Sequence, residues 1–222
     1  FGLLAFSGRA EGWRGPTLLV QAVAAPAVLA ASGFNGPWLL TLPLHLLAFT
    51  VAALACHQRL AADRPGPERL TEFYLALAAG GAIGGAATAL VAPAVLERVW
   101  EYPAALALAA LVRPWRRGRP TPIELAALTL GLVAAGLLLT APPGPLDLPK
   151  RSAFAALIAA AILARERVWL LGPLLTLIAV CSAVVGAAGR NDVRVERGFF
   201  GVSRVSLNSV PELGAVRFLT HG

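Results

Sequence analysis

The chain has 222 residues, of which 57% are hydrophobic and only 14% are charged, and its mean hydropathy is +0.70. Soluble domains carry about 25% charged residues, so this composition excludes a disordered tail, a disulfide-framed secreted domain and a typical nucleic-acid binder. It indicates a polytopic membrane protein. The net charge is +7, and Lys150 is the single lysine. Methionine is absent and residue 1 is Phe, which favours a fragment or a processed chain.

Apolar runs of membrane-spanning length are the main signal, because a crossing helix requires about 20 mostly apolar residues. Five stretches approach or reach that length: Thr17–Ser32, Trp38–His57, Leu70–Leu96, Ile123–Ala141 and Trp169–Ala188. Two shorter runs, Pro103–Val112 and Ser152–Ala164, are interpreted as short crossings, half-helices or helices shielded by neighbours. The opening Phe1–Gly8 is interpreted as the end of a further span. The sequence therefore predicts an all-α integral membrane helix bundle with five spans, or up to seven or eight.

Loop charges predict the orientation of this bundle. The basic residues are scattered between apolar runs, which argues against a nucleic-acid partner. If all seven runs cross, one side holds eleven arginines: Arg9, Arg14, Arg59, Arg64, Arg69, Arg113, Arg116, Arg117, Arg119, Arg165 and Arg167. The opposite loops hold only Arg98, Lys150 and Arg151. The positive-inside rule then predicts a multi-pass protein of the bacterial cytoplasmic membrane, with the arginine-rich loops in the cytoplasm and the C-terminal tail on the periplasmic or exterior side. One short run that does not cross would reverse the tail.

Tryptophans near the ends of the predicted spans agree with this map, since indole rings favour the headgroup level. They are Trp13, Trp38, Trp100, Trp115 and Trp169.

Composition changes near residue 189, which divides the chain into a transmembrane domain (1–189) and a soluble segment (190–222). Apolar and polar residues alternate over Phe200–Leu207, and Val216–Leu219 follows a turn around Pro211–Gly214. This pattern predicts a β-hairpin. A lone hairpin is marginally stable in water, so we expect it to begin a soluble domain that is absent from this chain.

Several short motifs stand between residues 56 and 114. They are Cys56-His57-Gln58-Arg59-Leu60, Asp63-Arg64-Pro65, Leu70-Thr71-Glu72-Phe73-Tyr74, Gly80-Gly81-Ala82-Ile83-Gly84-Gly85, Glu101-Tyr102-Pro103 and Arg113-Pro114. This constellation resembles the integral-membrane half of membrane-bound spermidine-synthase-like proteins, in which a multispan domain precedes an aminopropyltransferase-type Rossmann domain. The tail, with Arg197-Gly198-Phe199-Phe200-Gly201-Val202 and His221-Gly222, is similar to that family's entry into its synthase domain.

The resemblance implies that the chemistry belongs to the synthase domain. There, a decarboxylated S-adenosylmethionine-like donor is bound by a Gly-rich strand-to-helix turn and a following acidic residue, and the catalytic acids lie in the same domain. The resemblance therefore assigns no catalytic residue and no cofactor to this chain. The run Gly80–Gly85 follows an apolar helix rather than a strand, so it does not match a nucleotide fingerprint. No metal-ligand spacing is present either.

The glycine run has a packing interpretation of its own. Gly80 and Gly84 are four residues apart, as are Gly81 and Gly85, so both pairs lie on nearly one helix face. Small-xxx-small spacing lets helix backbones approach closely in lipid. The alternatives are packing against another span of the same chain, and a homodimer seam, a contact with other membrane subunits or a substrate passage.

Polar residues gather at the predicted connection between the second and third spans. His57 and Arg59 end one span, and Glu72 and Tyr74 lie in the first turns of the next. The short connection is expected to bring them together, with the helix dipole and a nearby Arg keeping Glu72 ionised. The cluster is interpreted either as a salt-bridge network that fixes the hairpin or as a binding or relay site at the membrane surface. Glu124, beside Pro122, is interpreted as a helix cap.

Three functions remain open at this point. The first is the membrane domain of a spermidine-synthase-like protein, which anchors or feeds an aminopropyltransferase- or methyltransferase-type soluble domain absent here. The second is a non-catalytic structural subunit of a larger membrane complex. The third is a transporter of polyamines or small solutes, which the interrupted short runs favour but the near absence of mid-span charge disfavours. The lipid bilayer is a partner in all three.

Overall fold

The computed structural model describes residues 5–6, 10–34, 36–114, 116, 118–188, 190–211 and 214–221. The helices are α1 (Ala10–Ala31), α2 (Trp38–Ala62), α3 (Leu70–Ala86), α4 (Ala92–Val95), α5 (Glu101–Leu108), α6 (Pro122–Thr140), α7 (Leu148–Leu163) and α8 (Val168–Ala188). The strands are β1 (Asp192–Gly198), β2 (Gly201–Val210) and β3 (Gly214–His221). Arg9, Trp115, Arg117, Gly222 and most of the predicted Phe1–Gly8 segment lie outside the described residues.

Five helices of the described chain are long and apolar enough to cross a membrane, by length and composition: Gly12–Ala31, Trp38–Ala62, Pro67–Val95, Pro122–Thr140 and Val168–Ala188. They coincide with the five long runs predicted from the sequence, which confirms helices at those positions. The run Ser152–Ala164 lies mostly within α7, a helix of 16 residues. The run Pro103–Val112 lies within α5 and a following 3₁₀ turn, Ala109–Val112.

The chain divides into two compact units. Unit 1 comprises Phe1–Ala62 and Pro103–Gly189, and unit 2 comprises Asp63–Tyr102 and Arg190–Gly222. The chain therefore passes between the units three times, and the last passage falls at the 189/190 boundary that the change in composition suggested.

The core of unit 1 is built around α8, which packs against α1, α6 and α7. Its side chains are buried on almost every turn, from Leu171 and Leu174 through Ile178 to Cys181 and Val185. A helix that is apolar on all sides is suited to such a central position, because no polar face requires solvent. The last helix of the bundle is thus its hub.

Small residues allow α8 to approach the end of α1. The hydroxyl of Ser182 donates to the carbonyl of Ala30 (2.9 Å) and accepts from the backbone N–H of Gly33 (2.8 Å). A Cβ at Gly186 would collide with the Gly33 backbone, and a Cβ at Gly33 would collide with Ser182. Both glycines are needed for this backbone contact, and the serine satisfies a donor and an acceptor left over where α1 ends.

The turn between α6 and α7 is fixed by its own polar groups. Asp147 caps α7 by accepting from the backbone N–H of Lys150 (3.1 Å). The Lys150 ammonium is buried and donates to the carbonyl of Pro145 (3.1 Å). Gly144 has φ +146°, a conformation that residues with a Cβ rarely adopt. These contacts fix the short connection between two helices that pack against each other.

In unit 2, the helical segment from Pro67 to Val95 contains a π-turn over Ala87–Val91. The backbone N–H of Ala92 donates to the carbonyl of Ala87, five residues earlier. Pro93 follows directly and supplies no N–H, which disrupts the ordinary helical bonding pattern at this point. The irregularity therefore comes directly after the glycine run. In the most apolar stretch of this helical segment, only 6% of the residues are buried.

The C-terminal residues form a three-stranded antiparallel sheet of order β1-β2-β3. The predicted hairpin is confirmed as β2 and β3, with Val205 opposite Leu219 and a turn that ends at Gly214. The structure adds a strand to this hairpin, since β1 pairs with β2 and places Arg197 opposite Val202. Four of the seven β1 residues are charged, so its alternating pattern is harder to see in the sequence.

Candidate functional site

The four residues of the predicted membrane-surface cluster fall in different units. His57 and Arg59 belong to unit 1, whereas Glu72 and Tyr74 belong to unit 2. The His57 ring lies 2.8 Å from the Ala53 carbonyl of its own helix, as measured from Nδ1. That the two helix ends meet stays a prediction.

Within unit 2, Glu72 has an ion-pair partner, Arg69, at the start of the same helical segment. The Arg69 guanidinium lies 3.0 Å from the Glu72 carboxylate, and both side chains are about 70% exposed. The Tyr74 ring contacts Phe73 edge-to-face, with centroids 5.5 Å apart. An exposed ion pair three residues apart on one helical segment stabilises it only slightly. The Arg69–Glu72 pair is therefore local to this helical segment, and both interpretations of the four-residue cluster stay predictions.

The glycine run of α3 faces open space. A Cβ added at Gly80, Gly81, Gly84 or Gly85 would meet no atom of the described chain within 4 Å. Within unit 2 their small size is therefore not used for a backbone contact, in contrast to Gly33 and Gly186 within unit 1.

A buried ion pair, not foreseen from the sequence, ties the loops of unit 1 together. Arg167 is 2% exposed, and its Nε lies 2.7 Å from a carboxylate oxygen of Glu124. The same guanidinium donates to the carbonyls of Gly118 (2.8 Å) and Arg119 (2.5 Å). One side chain thus joins the start of α8 to the start of α6 and to the loop before it.

Glu124 also performs the capping role predicted for it. The Thr121 hydroxyl accepts from the Glu124 N–H (3.2 Å), and the Glu124 carboxylate accepts from the Thr121 N–H (2.7 Å). This reciprocal pair is a capping box, with Pro122 in the first helical position. The carboxylate therefore caps a helix and neutralises Arg167. The sequence signal for the second role was weak, because the two partners are 43 residues apart.

A second buried arginine in unit 1 also binds groups on other segments of the chain. Arg113 is 5% exposed, and its Nη1 donates to the Leu18 carbonyl (2.7 Å) and to the Gln21 side-chain oxygen (3.2 Å). Its Nε donates to the Arg165 carbonyl (3.1 Å). Gln21 is held in turn by its own bond to the Ala109 carbonyl (3.2 Å). All these acceptors are uncharged. Burial lowers the pKa of the Arg113 guanidinium, and the charges of Glu166 and Arg165 act on it in opposite directions.

In unit 2, Arg197 of β1 forms a bidentate pair with Glu101 at the start of α5. The two Nη–carboxylate distances are 2.9 and 2.5 Å, and Arg197 also donates to the carbonyl of Arg98. The hydrogen bond from Arg197 lowers the pKa of the Glu101 carboxyl, against the raising effect of partial burial. The same hydrogen bond raises the pKa of Arg197. Bidentate geometry makes this a stronger tie than the Arg69–Glu72 pair.

Over the described ranges, no group of three or more His, Cys, Asp or Glu residues is placed to hold a metal ion. What the arrangement does provide is mechanical: arginines fix loops and strands by binding carbonyls and carboxylates. No protein-family model matches the chain, and no curated protein or solved structure matches it either.

Proposed function

We propose that the chain is the membrane domain of a spermidine-synthase-like protein and holds an aminopropyltransferase-type soluble domain at the membrane. The observation that carries the proposal is the Arg197–Glu101 pair. Glu101 belongs to one of the stretches that resemble this family, and Arg197 belongs to the other. The pair joins the two stretches, and a contact of this kind is expected if they form one functional part of the family's architecture.

Exposed apolar residues on the sheet and in the turn between β1 and β2 support a further soluble part. Phe200 is 95% exposed, and Leu219 and Phe199 are about 70% exposed. Exposed clusters of large apolar side chains mark contact surfaces. The remainder of an aminopropyltransferase-type domain would cover these side chains and complete a core that three strands alone do not supply.

The apolar helices support a lipid environment. The helical segment Pro67–Val95 has a mean hydropathy of 1.8, and only 6% of the residues in its most apolar stretch are buried. Such a surface is unfavourable in water and favourable in a bilayer. In this proposal the arginine-rich loops lie in the cytoplasm of a bacterium, by the positive-inside rule, and the protein crosses the cytoplasmic membrane several times.

In this proposal the chain positions the soluble domain, and the residues that carry out the reaction belong to that domain. The donor and the catalytic acids belong to the soluble domain, and Arg197, Glu101 and the sheet set where that domain begins. A transferase held in this way would act on polyamines close to the membrane surface.

The first test is the intact mass of the polypeptide purified from its native membrane, together with the sequence that follows residue 222. We expect a mass well above 23.0 kDa, and a strand, a Gly-rich turn and an acidic residue within the next hundred residues or so. We also expect aminopropyl transfer from decarboxylated S-adenosylmethionine to a diamine. A mature chain of 23.0 kDa would contradict the proposal.

The second test addresses the Arg197–Glu101 ion pair. In the full-length protein, Arg197→Ala should increase protease cleavage near residue 190 and lower transferase activity of the membrane-bound form. Arg194→Ala is the matched control, because Arg194 is an exposed residue of the same strand whose partner, Glu196, is two residues away. Equal effects of the two substitutions would argue against an anchoring role for Arg197.

A second candidate, a non-catalytic subunit of a larger membrane complex, is favoured by the open glycine face of α3. Small residues facing lipid are the surface through which a neighbouring helix associates. Gly84→Leu should then reduce co-purification of stoichiometric partners or of a second copy in mild detergent. Gly136→Leu, at an exposed glycine of α6 with equally open space, serves as the control.

A further inference from the structure

A cavity in unit 1 opens beside the buried Arg113. Its volume is about 310 Å³. It is lined by Gly15, Leu18 and Leu19 of α1, by Arg113 and Pro114 after the 3₁₀ turn, and by Arg165 and Glu166 between α7 and α8. The lining therefore combines apolar residues with three charged ones. Ligand sites commonly combine an apolar wall with a few polar groups in this way, and about 300 Å³ is the lower end of their size range.

The charges around the cavity do not balance. Arg165 lies 3.3 Å from Glu166, so this glutamate is already engaged by one of the two arginines. Arg113 is bonded to carbonyls and to an amide, and no carboxylate oxygen of the described residues lies within 4 Å of its guanidinium. A buried cation without a counterion is unfavourable, and binding an anion relieves this cost. The lining retains one net positive charge for such an anion.

The guanidinium of Arg113 is also held in place before any ligand arrives. Its Nε and Nη1 bond to three fixed acceptors, and Gln21 is itself anchored to the Ala109 carbonyl. A guanidinium carries five N–H donors, so these three bonds do not exhaust its capacity. Preorganised arginines with free donors bind phosphate oxygens well.

The position of the cavity along the helices indicates the source of the phosphate. Gly15, Leu18 and Leu19 lie in the early turns of the candidate span Gly12–Ala31. The neighbouring Trp13 is 65% exposed, which suits the headgroup level of a bilayer. Basic pockets between helices at that level take the headgroups of anionic lipids.

We propose that this cavity binds the phosphate group of an anionic phospholipid, with Arg113 and Arg165 as its ligands and Leu18, Leu19 and Pro114 against the glycerol and acyl part. The same chemistry would accept a soluble phosphate ester, so the experiment must separate the two sources. The proposal is independent of whether a synthase domain exists.

Native mass spectrometry of the purified chain, with phosphatidylglycerol or phosphatidylcholine of identical acyl chains, tests the proposal. We expect one phosphatidylglycerol to bind at least about tenfold more tightly than phosphatidylcholine, since only the former matches the net charge of the site. Arg165→Gln and the cavity-filling Gly15→Leu should each weaken phosphatidylglycerol about tenfold. These positions are chosen because a Cβ at Gly15 meets no atom within 4 Å and Arg165 is partly exposed, so both variants should fold.

Arg116→Gln is the control. Its guanidinium is 55% exposed, does not line the cavity, and lies 3.9 Å from Glu124. This variant should change the affinity less than about twofold. Competition with inorganic phosphate then identifies the source: no displacement assigns the site to the lipid, and displacement assigns it to a soluble phosphate. Equal binding of the two lipids, or equal effects of Arg165→Gln and Arg116→Gln, would overturn the proposal.

Discussion

Helix α8 and the helical segment Pro67–Val95 are similar in composition and opposite in environment. Their mean hydropathies are 2.3 and 1.8. Of the residues in the most apolar stretch of each helix, 56% are buried in α8 and 6% in the other segment. Both contain glycines. Gly186 of α8 touches the backbone of Gly33, whereas Gly84 of α3 faces open space. Both helices are apolar enough to avoid water, so hydropathy does not determine which of them forms part of a core. The contacts that small residues make with neighbouring helices determine it.

Disrupting the close backbone contact should have the largest effect. Gly186→Leu places a side chain where the Gly33 backbone lies, so we expect a fall in melting temperature of about 10 °C or more, or loss of the folded chain in detergent. Gly172→Leu tests the same helix at a position where a Cβ meets no atom within 4 Å, and it should change the melting temperature little. Similar losses for the two variants would show that the contact is not specific. Thermal unfolding followed by circular dichroism is a suitable measurement.

Substitution of the arginine that precedes each of these two helices should show the same contrast, with the larger loss of stability at α8. Arg167 precedes α8 and is buried against Glu124, so Arg167→Gln removes the nearer of two arginines from a buried carboxylate and should lower the melting temperature by about 8 °C. Arg69 precedes α3 and forms an exposed pair with Glu72, so Arg69→Gln should lower it by about 1 °C. Thermal-shift measurements on the two variants side by side would check the difference. A larger loss from Arg69→Gln would reverse the comparison.

The Arg197–Glu101 pair gives unit 2 an acid-sensitive contact. Because the folded-state pKa of Glu101 is lowered, its contribution to stability is present above the ordinary carboxyl pKa and is lost as pH falls through the lowered value. Glu101→Gln should therefore speed amide exchange in β1 about fivefold at neutral pH. The difference between wild type and variant should vanish in acid, where the wild-type carboxyl is protonated. A difference that persists in acid would show that the variant acts through something other than the charge.

The smallest effect is expected at the open glycines. Gly84→Ala should stabilise α3 by about 0.5–1 kcal/mol, because alanine loses less backbone freedom and meets no neighbour. Gly131→Ala in α6 is the counterpart in the packed bundle, where the new methyl group would lie 2.6 Å from Leu174 Cδ2. Leu174 must shift to accept it, so we expect destabilisation there. Chemical denaturation of both variants measures the sign of each change.

Much of the fold was accessible from the sequence, because long apolar runs and local caps are read from neighbouring residues. The five long helices, the β2–β3 hairpin and the capping role of Glu124 are all of this kind. The sequence does not indicate strand β1, because its charged residues obscure the alternation and its pairing depends on the strand that follows.

The arginine ties could not be predicted in the same way. Arg167 meets Glu124 across 43 residues, and Arg113 meets Gln21 across 92 residues. Loop arginines predict the orientation of a bundle, for which only their number and side matter. Which of them turns inward depends on where loop carbonyls such as those of Gly118 and Arg119 are left without donors, and that follows from the packed helices.

The bonds of Ser182 to the end of α1 have a consequence for the order of assembly during synthesis. Ser182 follows Gly33 by 149 residues, so the first described helix emerges from the ribosome long before its polar partner does. Until α8 arrives, the carbonyl of Ala30 and the N–H of Gly33 lack the hydroxyl that joins them. Unit 1 thus closes only when its final helix is delivered, and a ribosome stalled before residue 182 would leave an unfinished bundle for quality-control proteases.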